Sequence, residues 1–421
     1  MRTVAARGHG SLSAACCAVF RRRRITSHAL AASTLALTLG LAAPSLAAPP
    51  AAGPGAATRP AAEPTAAANE RAAARLRVRV VARDLDIPWD VQPVPGGGLL
   101  VTERDRQRLS LIKNGSRRTV TLRGERIWSP PGETGLMGLE IDPRFGRNGR
   151  IYTCSGWNKR GGGHDIRVIR WKLNAARTAA RINKTLLAGL PTTSGRHGGC
   201  RLLLARNGSL LIGTGDAAVS KNPQNRRSLG GKVLRIDPRT GKRWPGNPWA
   251  KSKTRSRFVF TYGHRNVQGL AQRADGSLWS VEHGSYRNDE VNFLRGGRNY
   301  GWDPGPGYDE SVPMTDHSLP GKQWNARWRS GKTTIATSGA SFVPQRGWKS
   351  LGGTLAVAAL AGERLVFLRF DKSGRLVSQR VRLRGSYGRL RSVTVDTDRS
   401  LLVTTANGGG NDRILRVRLR R

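Results

Sequence analysis

An all-β fold follows from three observations in the 421-residue chain: short β-branched strands, turn pairs that favour hairpins, and a recurring turn-plus-strand unit. Beyond Leu76 helical periodicity is scarce, and polar turns alternate with short apolar runs. The unit is seen in "PGGGLLVTER", "GRNGRIYTCSG", "ARNGSLLIGTGD", "RADGSLWSVEHGS", "LGGTLAVAAL" and "DTDRSLLVTTANGGG". Counted from the residue before each strand, it recurs at Gly98, Gly149, Gly208, Gly276, Gly353 and Ser400. These spacings start near the ~40–50 residues of a four-stranded propeller blade and lengthen as inserted loops would lengthen them. The sequence therefore predicts a six-bladed β-propeller of four-stranded antiparallel blades. A β-sandwich explains the strand alternation equally well, but not the repeated unit.

The N-terminal segments read differently. Arg21–Arg24 precede an apolar run that ends in Ser45-Leu46-Ala47, the pattern of an export signal over residues 1–47. A membrane anchor is the competing reading, but the run is short and is followed by Pro49 and Pro50. The expectation is a secreted or periplasmic protein, with the general secretory route or the twin-arginine route open. Residues 48–75 are Ala/Pro-rich and read as a linker. The propeller is expected over residues 76–421, with no membrane span.

A formal charge of +45, from 72 basic and 27 acidic residues, would ordinarily suggest nucleic acid. Here the arginines are dispersed, and no nucleic-acid motif is visible. Non-specific attraction to polyanions is the expected consequence. Cys16 and Cys17 fall in the leader, which leaves Cys154 and Cys200. In an oxidising compartment this pair is most simply a disulfide, with two separate buried thiols as the alternative. No zinc cluster, EF-hand loop, phosphate-binding loop or dinucleotide fingerprint is present.

"GRHGG" places His197 among glycines, where an imidazole is open to a small substrate and takes up a proton near neutral pH. Asp216 ends "LIGTGD", and a carboxylate beside an imidazole fixes its tautomer. "GHRNVQG" gathers His264, Arg265, Asn266 and Gln268, donors that need partners or an anionic, oxygen-rich ligand. Arg389 and Arg391, two apart, face one side of a strand and suit the carboxylates of a ligand. Each of these also has a plain structural reading: a surface-loop histidine, a turn aspartate, a solvated basic face.

Taken together, "GETGLMGLEIDPRF", "GRHGG…LLIGTGD", "GGKVLRID", "YGHRNVQGL", "EHGSYRNDEVN" and "GGRNYGW" resemble the soluble pyrroloquinoline-quinone (PQQ)-dependent sugar dehydrogenases, the glucose/sorbosone dehydrogenase family. The resemblance implies a six-bladed propeller that oxidises a sugar, or a related polyol or aldehyde, by hydride transfer to PQQ. It implies His197 as general base, with Asp216 and Arg265 beside it in the catalytic set. Arg265, Asn266, Gln268, Arg389 and Arg391 would hold the quinone. Backbone carbonyls of Gly284 and Ser285 would hold Ca2+, and Glu133 would contact the sugar. An external electron acceptor completes the turnover. Ala361 stands where the family carries a cofactor-binding lysine, and His283 where it carries a glutamine. The alternative function is a non-catalytic extracellular propeller that binds glycans or polyanions.

Overall fold

The structure, a computed structural model, describes residues 75–420. The expected leader, with Cys16 and Cys17, and all but the last residue of the expected linker lie outside the described residues. The described chain is almost entirely strand and turn, with only a few short helical turns.

β1 (Leu76–Leu85) is followed by strands that pair in fours. β2 (Pro88–Pro93), β3 (Leu99–Glu103), β4 (Arg108–Lys113) and β5 (Ser116–Arg123) form one antiparallel run. β6 (Leu136–Ile141), β7 (Arg150–Asn158), β8 (His164–Leu173) and β9 (Ala179–Leu190) form the next. A short parallel pairing of β5 with β9 joins these two runs into an eight-stranded sheet.

Three four-stranded sheets follow. The first holds β10 (Gly199–Leu204), β11 (Leu210–Thr214), β12 (Lys232–Ile236) and β13 (Val259–Tyr262). The second holds β14 (Val267–Gln272), β15 (Leu278–Glu282), β16 (Glu290–Leu294) and β17 (Trp328–Arg329). The third holds β18 (Thr337–Phe342), β19 (Leu355–Ala359), β20 (Arg364–Phe370) and β21 (Leu376–Arg382). The last sheet takes β22 (Leu390–Val395), β23 (Leu401–Thr405) and β24 (Asp412–Leu419) from the C-terminus. β1 completes it, so the two ends of the described chain pair with each other.

Each repeated turn enters the second strand of a four-strand run: β3, β7, β11, β15, β19 or β23. Gly208 and Gly276 hold φ of 85° and 87° there, a conformation that a β-carbon would strain. The first strands touch in succession, β2 to β6, β10, β14, β18 and β22, and β22 returns to β2. The apolar core lies between the faces of neighbouring sheets. Trp279 and Phe293, for example, pack with Val357, Leu368 and Phe370 of the next sheet.

Every first strand also breaks register with its second near its own start, as between Gly199 and Arg201, Val267 and Gly269, and Leu390 and Val393. Such irregularities re-aim side chains. The residues inside them include Gln268 and Arg391. Cys154 on β7 and Cys200 on β10 are bonded, with Cα atoms 5.5 Å apart, and they tie two successive runs together.

Candidate active site

In an antiparallel run of four, connections between runs and connections from second to third strand fall at the same end. His197 and Arg265 lie on the first kind, β9–β10 and β13–β14. Asp216 and His283 lie on the second, β11–β12 and β15–β16. Four sequence-distant segments thus reach one mouth.

The glycines around His197 serve a different purpose from the open access expected of them. His197 is only 3% exposed. A β-carbon on Gly215 would lie 1.8 Å from the His197 carbonyl oxygen, and one on Gly199 would lie 2.3 Å from the Gly215 nitrogen. Gly198 in turn packs against Thr134. The glycines of "GRHGG" and "GTGD" let two backbones approach until His197 rests directly over Gly215. His197 itself takes φ of 52°, a left-handed conformation that only close surroundings maintain.

Asp216, fully buried, is the hub. Its Oδ1 lies 2.9 Å from His197 Nδ1 and accepts the Ala218 N–H at 2.8 Å. Its Oδ2 accepts the Trp302 indole N–H at 2.8 Å and the Tyr308 hydroxyl at 2.7 Å. A carboxylate only accepts, so Nδ1 carries the proton and Nε2 is left as the basic atom. Tyr308 Oη also lies 2.9 Å from Nδ1. Burial and the Asp216 charge push the Tyr308 phenol well above its ordinary range, which keeps it a donor.

Glu133 accepts the His197 N–H and the Asn266 side-chain amide, each at 3.0 Å. Asn266 Oδ1 accepts from Gly199 N and Gln268 Nε2, each at 3.1 Å, and Gln268 Oε1 accepts Arg391 Nη1 at 3.0 Å. One hydrogen-bonded chain therefore runs from the His197 backbone N–H to the buried Arg391. Asp216 N–H reaches the Arg265 carbonyl at 2.8 Å, and the Arg265 guanidinium pairs with Glu310.

Arg389 lies one residue before β22 and is exposed, whereas Arg391 is buried within the register break. Simple strand alternation therefore does not relate the two. They still border one place. Burial first, then the charges of Arg391, Arg265, His197 and Arg389, holds His283 well below the usual imidazole range. Arg391 is itself lowered to about 9 by burial and by Arg104, Arg201 and Arg389.

This cluster has positive charge and donors in excess. Arg265 Nε, Arg391 Nε, Arg201 Nη2 and His283 Nε2 are buried without a partner. A flat polyanion that accepts hydrogen bonds fits that demand. Gly284 and Ser285 follow His283 directly. The Gly284 N–H is held by Asp289 Oδ1 at 3.0 Å, and Ser285 Oγ is buried without a partner. Among the described residues no three His, Cys, Asp or Glu side chains converge as a metal site. Calcium accepts backbone carbonyls, so the two expected here remain chemically suitable.

Trp302, Tyr308 and Glu310 were not singled out individually from sequence. They lie on residues 295–327, between β16 and β17. This excursion climbs beside β13, with Asn299 paired to Tyr262 and Trp302 N–H donating to Gly263 O at 2.9 Å. Trp302 lies in the quoted "GGRNYGW", whereas "GPGYDE" carries no periodic signal.

Fold and site together define an all-β scaffold that sets a buried imidazole near an anion-demanding arginine cluster. The sequence profile of the Glucose / Sorbosone dehydrogenase family matches residues 85–416, and the chain belongs to that family. It is 29% identical over 235 residues to aldose sugar dehydrogenase YliI of Escherichia coli, covering 55% of this chain and 62% of that one. It is 27% identical over 259 residues to quinoprotein glucose dehydrogenase B of Acinetobacter calcoaceticus, covering 55% and 53%. The PQQ-bound aldose sugar dehydrogenase of Streptomyces coelicolor superposes with a TM-score of 0.69 at 29% identity, covering 83% of this chain and 99% of that one.

Proposed function

We propose that the protein is an exported PQQ-dependent sugar dehydrogenase on a six-bladed propeller, with His197 as its general base. One observation carries the reading: an imidazole with its tautomer fixed by Asp216 stands at the same mouth as Arg265, Arg389 and Arg391. The quinoprotein and PQQ-bound relatives supply the cofactor's identity. The closed succession of first strands supports the blade count.

His197 Nε2 takes the proton of the sugar hydroxyl, and Asp216 stabilises the imidazolium that results. Trp302 and Tyr308 hold Asp216 in place while this happens. When bound, the quinone supplies the two-electron acceptor that takes the hydride from the sugar carbon. Arg265 would lie against the oxygen on which charge grows, and Arg389 and Arg391 would neutralise carboxylates. Glu133, tied to His197 and Asn266, presents a carboxylate for the sugar hydroxyls. The Gly284 and Ser285 carbonyls would bind Ca2+. An external acceptor then removes the electrons.

The test is reconstitution of purified protein with PQQ and Ca2+, followed by reduction of an artificial acceptor across a panel of sugars. Activity is expected only with the quinone, and His197→Ala is expected to abolish it. Turnover indifferent to either would overturn the reading.

A further inference from the structure

The excursion over residues 295–327 brings a carboxylate to where the site demands an anion. Glu310 lies at its crest, beyond Gly305 and Gly307, which hold φ of 59° and 78°. Its Oε1 pairs with the buried Arg265, and its Oε2 accepts the exposed Arg196 Nη2 at 2.6 Å. Burial works against its charge, but hydrogen bonds and charges from Arg265 and Arg196 outweigh that and keep it below the ordinary glutamate range. The loop is fixed from both sides. Tyr308 reaches Asp216, the Arg196 guanidinium lies 5.8 Å from the Tyr308 ring, and Arg287 Nη2 donates to Ser311 O at 2.6 Å.

We infer that Glu310 is a tethered counter-ion filling the anion position at Arg265, and that it makes the mouth selective for multivalent anions. The inference rests on the enzyme reading for the identity of the multivalent anion. A carboxylate on the same chain acts at an effective concentration on the order of millimolar or above, so a free monocarboxylate does not displace it. A polyanion that also engages Arg389 and Arg391 gains contacts that Glu310 cannot offer, and so exchanges with it. On release, Glu310 keeps Arg196 as its partner, so it need not enter water alone.

The test uses the full chain without cofactor, wild type and Glu310→Gln. Intrinsic tryptophan fluorescence is the readout, since Trp302 lies 5.7 Å from the Arg265 guanidinium. Each protein is titrated with PQQ and, separately, with acetate as a monocarboxylate probe. Glu310→Gln is expected to bind PQQ about tenfold more tightly and to gain an acetate response absent from wild type. A variant that binds both no better than wild type overturns the inference. Wild type and variant both blind to PQQ, with acetate still gained by the variant, would sink the enzyme reading and leave the counter-ion standing.

Discussion

His197 Nδ1 lies 2.9 Å from Asp216 Oδ1, with both side chains buried and the two residues nineteen positions apart. The contact decides which nitrogen of the ring is basic. In Asp216→Asn an amide N–H can face Nδ1, and the imidazole proton then moves to Nε2, where it blocks proton abstraction. The expected result is a fall in kcat of about 100- to 10,000-fold, with quinone binding largely kept. Steady-state kinetics of the reconstituted variant measure it, and a loss in KM alone would contradict it.

Gly215 packs against the backbone of His197. Its missing β-carbon is the space occupied by the His197 carbonyl, 1.8 Å from where a methyl would sit. Gly215→Ala must shift either the β11 terminus or the His197 backbone. A displacement of about 1 Å at a reacting group costs roughly 100-fold in rate. A folded Gly215→Ala protein should therefore lose at least that much kcat. Wild-type turnover in a variant whose His197 backbone is shown to be displaced would mean that His197 is not the base.

The Cys154–Cys200 bond lies three residues beyond His197 and spans two successive runs. Closing a loop across 46 residues of separation limits the unfolded chain by about 4 kcal/mol in the chain-entropy account. The double variant Cys154→Ala/Cys200→Ala should lower the denaturant midpoint accordingly. Both cysteines are fully buried, so reductant reaches the bond only once the chain opens, and in denaturant it should lower the midpoint in the same direction. In protein without the leader cysteines, two thiols titrating in the unfolded, unreduced chain would show that the bridge is absent.

The repeated unit was legible because its cause is local. Glycine before a short apolar run forces the same turn wherever it occurs, as at Gly208 and Gly276, and each marks a second strand. His197, Asp216 and Arg265 could be picked out because they stand at strand ends marked by flanking glycines or clustered polar residues. Two features were not legible. The shared strand face expected of Arg389 and Arg391 assumed a regular strand, and the break between Leu390 and Val393 removes that premise. Tyr308 and Glu310 reach the site on an excursion held by tertiary contacts such as Asn299 with Tyr262, which residues 295–327 do not announce. The glycines of "GRHGG" were visible, but a backbone approach and an open pocket demand the same residue.

Glu290, behind the site, gives a pH dependence that needs no cofactor. It is buried, and accepts from Arg329 and Thr315 at 3.2 Å and from Asn292 at 3.3 Å. Burial and the like charge of Glu282 raise it from the ordinary value near 4.5 to about 7, against the pull of Arg329. Between those values the folded chain holds a proton that the unfolded chain has released. Stability contributed by this group therefore falls as pH rises from about 4.5 through about 7, and changes little beyond. Glu290→Gln keeps an oxygen to accept these bonds and never ionises. Its melting temperature relative to wild type should rise between pH 5 and about pH 7 and level off by pH 8, as followed by thermal unfolding of the full chain. A difference that stays flat across that window would mean that Glu290 is ionised in the folded protein throughout.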